Sequence, residues 1–234
     1  MKEVHNGGKA MNRIKGVMAL MGLLLLIAAT IYPSPQQTPS DNVLARQVKG
    51  VHLASMTTAQ AAVNALITAD APGGIAVTYD CNQPASFTFS PADSSLRGAL
   101  ESIVTTDPKY VWEVKRSVIN LVPRNGEPPL LKVRVSKLQI IGAKAVNEGL
   151  DQLLATPEVR KLNLGRRFVQ GGVYRFNPQN PTLKVGRKIS LSLRNVTVRE
   201  ALNAIARVHG NAVWILTQGE CDGRNLFSID FVSR

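Results

Sequence analysis

Cysteine, histidine, aromatic and acidic residues are all scarce in this chain. Its 234 residues include 2 cysteines, 3 histidines and 5% aromatics. Two thiols are too few for a disulfide scaffold or for a zinc site of four thiolates. His5, His52 and His209 leave little for metal ligation or for a serine-type triad. No G-x-S-x-G elbow, H-E-x-x-H helix, P-loop or spaced dinucleotide glycines occurs. Glu101, Asp107, Glu148 and Asp151 include no carboxylate pair that stands out for glycoside chemistry. The chain therefore reads as non-catalytic, with no catalytic residue, metal ligand or cofactor assigned. A hydrophobic content of 44% against 19% charged residues excludes a disordered chain, and the length suits one or two small domains.

The first 32 residues read as an export signal. Lys2, Lys9, Arg13 and Lys15 face only Glu3, and the uncharged apolar run Val17 to Tyr32 follows. As a helix its sixteen residues rise about 24 Å, short of a full bilayer span. Residues 1–32 are thus expected to be a signal peptide or a short membrane anchor formed by 17–32. Residues 33–45, polar and with three prolines, form a linker. The protein is expected to be exported, periplasmic or envelope-associated, touching the membrane only through this segment. In an oxidising compartment Cys81 and Cys221 could pair; a disulfide and two buried thiols are both open readings.

Self-similarity at a constant offset of 102 residues is the most informative feature. Residues 87–114 lie over 189–216 without a gap. Identities fall at Ser90/Ser192, Arg97/Arg199, Ala99/Ala201, Leu100/Leu202, Ile103/Ile205, Val111/Val213 and Trp112/Trp214. In the second copy, Ile189, Leu191 and Leu193 alternate with serines, the mark of a half-buried strand. Thr197 and Glu200 form a capping box, and Val198, Ala201, Leu202 and Ile205 make one apolar helix face. Gly210 ends that helix, and Ala212 to Leu216 reads as a buried strand. Upstream, Thr57 and Gln60 cap a helix bearing Ala62, Val63 and Leu66, followed by a strand at Ile75 to Tyr79. Val133 to Ile141 reads as a strand, and Val146, Leu150, Leu153 and Leu154 mark a helix after it. The repeated residues carry expectations of their own: Trp112 and Trp214 packed alike in the core, Arg97 and Arg199 on a solvated helix face, and His209 as a cation capping its helix.

The expected fold class is α+β, as two tandem small β-α-β repeat modules with helices packed on short mixed sheets. The first module spans 46–123, a linker 124–129, and the second module 130–234 with a basic insertion at 164–187. The segments around Ser95-Leu96-Arg97-Gly98-Ala99-Leu100 and Tyr110-Val111-Trp112-Glu113-Val114, with Val118 to Pro123 after them, resemble the secretin and TonB short N-terminal (STN) domain family. The match runs over 48–123 and again in 188–232, implying two tandem copies. The resemblance implies a periplasmic module of the kind attached to outer-membrane secretins and TonB-dependent receptors, acting in assembly, secretion or signalling contacts. Its expected partner is another envelope protein.

The charge is unevenly placed. Of the net +12, residues 127–234 supply +9, from 17 bases and 8 acids. The densest part lies at Arg166, Arg167, Arg175, Lys184, Arg187 and Lys188, interleaved with Phe168, Tyr174, Phe176 and several glycines. Basic residues beside aromatics suit nucleic acid or an anionic envelope polymer, and equally suit a solvated loop. Those six cations are the candidate binding residues of the alternative function, a basic binding module carried by the second repeat.

Overall fold

Three apolar runs, Ile75 to Val77, Val118 to Val122 and Val213 to Leu216, lie near the centre of one sheet. Strands covered on both faces read as continuous rather than alternating hydrophobic runs. The computed structural model describes residues 39–48, 53–80, 86–89, 94–163, 188–221 and 224–233. The N-terminal segment 1–38 and the insertion 164–187 lie outside the described residues.

The elements are α1 (Pro39–Leu44), β1 (Gln47–Val48), β2 (Leu53–Met56), α2 (Thr58–Thr68), β3 (Gly73–Asp80), β4 (Phe87–Phe89) and β5 (Ser94–Ser95). They continue with α3 (Leu96–Thr106), β6 (Tyr110–Lys115), β7 (Val118–Pro123), α4 (Pro129–Lys132), β8 (Arg134–Ala143) and α5 (Val146–Leu154). The last are α6 (Pro157–Asn163), β9 (Ile189–Thr197), α7 (Val198–His209), β10 (Val213–Cys221) and β11 (Arg224–Val232). The architecture is α+β. A five-stranded mixed sheet has the order β11-β10-β3-β7-β6, and three two-stranded pairs accompany it: β1-β5, β2-β4 and β8-β9. Strand β3 runs parallel to both β10 and β7, while β11 and β6 close their hairpins antiparallel.

Capping chemistry places the helices where the sequence indicates. Thr57 accepts from the Gln60 amide and Thr197 from the Glu200 amide, and the Gln60 and Glu200 side chains reach back in both cases. Ser95 caps α3 by accepting from the Gly98 amide at 3.2 Å. Gly210 ends α7 with φ of +101°, a conformation that a Cβ would strain.

The sheet separates two apolar layers. Ile75, Val77, Ile119, Leu121, Val213 and Ile215 face α2 and α3. Ala76, Val122, Trp214, Leu216, Phe227 and Ile229 point the other way, against α5, α7 and the β8-β9 pair. Helices from the first half of the chain thus cover one face and helices from the second half the other. Pro39–Arg234 is one compact unit. The connection 124–129 does not hold the halves apart: the Arg124 amide donates to Lys109 O at 2.7 Å, and Pro128, Leu130 and Leu131 are buried. Each large aliphatic side chain buried this completely contributes about 1.5–3 kcal/mol.

Gly74 and the indole of Trp214, which pair across β3 and β10, approach closely. A methyl group on Gly74 would overlap the ring, and Trp214 is itself held by donating Nε1–H to Asn203 Oδ1 at 2.7 Å. We expect Gly74→Ala to cost about 3 kcal/mol in urea unfolding, the upper range for overpacking. An unchanged midpoint would show that the indole can move aside.

Candidate functional site

Asn120 is the one polar residue in the apolar run of β7, and it faces the second layer. Its partner comes from α7. Arg199 sits in the first turn of that helix, pointed at the sheet and only 6% exposed. The guanidinium donates from Nε to Asn120 Oδ1 at 3.4 Å, from Nη1 to Glu127 Oε1 at 3.1 Å and from Nη2 to Glu113. Lys115 Nζ lies 3.2 Å from Glu113, so two cations face two carboxylates. Burial disfavours ionisation of Glu113, but the hydrogen bond and charge of Arg199 outweigh it and hold the carboxyl below its ordinary 4.5. The cluster joins α7 of the second half to β6, β7 and the connecting segment of the first. It is an ion-paired clasp between the halves.

The repeated residues do not share one environment, which corrects the expectation of symmetry. Arg199 is buried and paired, whereas Arg97 lies over the Trp112 ring, 5.6 Å from its centroid. Trp214 is fully buried, but Trp112 is only half-buried. The cause is strand position: β10 lies inside the sheet and β6 at its edge. His209 departs from its expected role as well. Burial pushes its imidazole below the ordinary 6.5, so near pH 7 it is mainly neutral and adds little charge at the helix end.

Of the predicted binding residues, Arg166, Arg167, Arg175, Lys184 and Arg187 lie outside the described residues. Lys188 is exposed immediately before β9. Positive charge also gathers where the spacing of the sequence gave no warning, on the β8-β9 pair: Lys137 stands directly opposite Arg194. Cys81 lies outside the described residues, while Cys221 ends β10. Asp80 and Glu220, the residues just before the two cysteines, are paired in register on neighbouring strands.

Within the five-stranded sheet the two outer strands, β6 and β11, each pair on one side only among the described residues. Strand β6 carries Val111, 36% exposed, and no proline. Among the described residues no group of three or more His, Cys, Asp and Glu side chains is arranged to hold a metal ion. No helix among them is long and apolar enough to cross a membrane. Comparison with family models, with curated proteins and with solved structures returns no match to the chain.

The clasp makes a contrast between repeat-equivalent arginines. Arg199→Ala leaves Glu127 and Asn120 Oδ1 without this donor and Glu113 with Lys115 alone, and should cost about 3 kcal/mol, as for other broken buried ion pairs. Arg97→Ala should cost about 1 kcal/mol, the scale of a partly exposed cation–π contact. Equal losses in chemical unfolding would mean that burial of Arg199 does not set its contribution.

Proposed function

We propose that this chain is an exported, non-catalytic protein-interaction module of the cell envelope. In this reading it consists of two tandem units resembling the secretin and TonB short N-terminal domain. It acts in assembly, secretion or signalling contacts by docking another envelope protein. The observation that carries the reading is the edge strand β6, whose outer side is unpaired among the described residues. An unpaired edge offers N–H and C=O groups to an extended segment of a partner, and backbone pairing of this kind tolerates varied partner sequences. Exposed Val111 and Trp112 lie on that strand, the latter beneath Arg97 of α3, giving side-chain contacts beside the ladder. The tandem arrangement is supported by the offset of 102 residues, which lays α3 over α7 and the hairpin β6-β7 near the hairpin β10-β11.

Neighbouring amides in a strand point to opposite sides, so Val111→Pro and Val114→Pro test the two edges of β6 separately. One variant removes a ladder bond to β7 and unfolds at a lower temperature. The other faces outward and should keep its Tm while weakening capture of the partner from envelope extract at least tenfold. If the stable variant captures that partner as well as the unaltered full chain, strand addition at β6 is wrong.

Export would also place Cys81 and Cys221 in an oxidising compartment. The intact protein, isolated from its own compartment without reductant, should then be two hydrogens lighter than the reduced chain and resist alkylation. Two alkylatable thiols in the folded protein would count against the pairing.

A second reading is favoured by a separate observation. The β8-β9 pair carries cations without acids, which suits a basic module for nucleic acid or an anionic envelope polymer.

A further inference from the structure

The β8-β9 ribbon has one side on the core and one in solvent. Val135, Leu138 and Ile140 are buried, while Lys137, Gln139 and Ile141 of the same strand are exposed. Lys137 lies directly opposite Arg194, and Gln139 directly opposite Ser192. Residues directly opposite in an antiparallel pair share a face, about 5 Å apart, and like charges placed so repel. Lys144 and Lys188, both exposed, flank the Ala143–Ile189 pair that closes the other end. Across 134–144 and 188–197 there are five cations and no acid.

The nearby carboxylates are hydrogen-bonded to backbone amides rather than ion-paired with these cations, although Glu200 feels the charge of Arg134. Glu158 accepts from the Ser136 amide at 3.0 Å, Glu148 from the Lys144 amide at 2.8 Å and Glu200 from the Thr197 amide at 2.8 Å. Among the described residues, no ion pair joins Lys137, Lys144, Lys188 or Arg194 to a carboxylate. A protein that keeps two cations face to face loses a little stability for it, which a bound polyanion would restore.

We propose that the exposed face of this ribbon is a docking surface for duplex DNA. Lys137, Arg194, Lys144 and Lys188 meet backbone phosphates, with Gln139 and Ser192 as neutral hydrogen-bonding groups between them. The proposal rests on the polyanion reading above, not on docking at β6. Three features select the occupant. Charge is complementary along about 20 Å of strand from Lys137 to Ala143, with Lys144 just beyond its end, or about six base-pair steps. Neither strand contains an aromatic residue, so a single strand would find no base-stacking platform. Ile141, 74% exposed, is the only large exposed aliphatic residue of the pair, so an acidic peptide would find few apolar anchors. A two-stranded ribbon is also of a width that the roughly 12 Å major groove admits.

The experiment is fluorescence anisotropy of a labelled 20-base-pair duplex with the full chain in mild detergent, over a range of salt. Four phosphate contacts from the ribbon contribute about −3.6 to the slope of log K against log salt. Lys137→Gln with Arg194→Gln should lower affinity at least tenfold at low salt and reduce the slope by about 1.8. Lys137→Gln alone should raise Tm by about 1–3 °C, because it relieves the repulsion; a lower Tm would remove that premise. Unchanged affinity and slope in the double variant overturn the proposal. So does equal affinity for a single strand, or displacement by polyglutamate as effective as by unlabelled duplex. If Arg166→Glu with Arg167→Glu abolishes binding while the ribbon variant does not, the ribbon is not the site and the polyanion reading survives. Absence of binding to any polyanion ends both.

Discussion

Parallel pairing of β3 with β10 is the constraint on which the rest of the structure depends. Eight residues of each strand are matched in register, Gly73 to Asp80 with Val213 to Glu220. The first half contributes β3, β7 and β6, the second contributes β10 and β11, and this single ladder makes one sheet of them. Once joined, each strand at the seam has two apolar faces to cover. Helices α2 and α3 close one side, and α5 and α7 close the other. Neither set of helices could bury the opposite face, so hydrophobic burial ties the halves together.

The polar contacts follow from that geometry. With α7 laid across the second face, its first turn comes over Asn120 of β7, the only buried polar side chain in that strand. Arg199 supplies the donors, and Glu113 and Glu127 supply the charge that makes a buried guanidinium tolerable. Such a cluster adds orientation more than raw stability, because desolvation offsets much of its Coulombic gain. The close approach of Gly74 to Trp214 sets the same seam sterically. Edge and interior positions then acquire different chemistry from nearly the same sequence, as Trp112 and Trp214 illustrate. The interior tryptophan becomes core. The edge tryptophan stays half in solvent beneath an arginine, on the outer strand of the sheet.

Docking at a sheet edge and attraction of a polyanion make different demands on a protein, and the two surfaces we propose for them are separate. Strand β6 ends the five-stranded sheet, whereas the cations lie on the β8-β9 pair. Backbone pairing depends little on ionic strength, while phosphate contacts weaken steeply with it. A protein carrying both could hold a protein partner and an anionic polymer at once. The excess charge in the second half accords with such a division.

Local order was legible in the sequence because its causes are local. Thr57 with Gln60 and Thr197 with Glu200 start their helices through contacts three residues apart, and Gly210 stops α7 by its own conformational freedom. The apolar run Ala212 to Leu216 announced a buried strand, and the offset of 102 residues paired the strand-helix-strand segments. What remained hidden were contacts between residues far apart in the chain. Nothing at position 199 distinguishes it from position 97, and the partners of Arg199 come from residues 72 to 86 positions away. Likewise, the spacing of Lys137 and Arg194 gives no hint that they face each other, because 188–197 must first fold back antiparallel on 134–143. Sequence periodicity determined the elements and the α+β class. Which strand became an edge, which arginine was buried and which charges met were decided by the packing of the two halves on a shared sheet, since these depend on long-range pairing that periodicity does not encode.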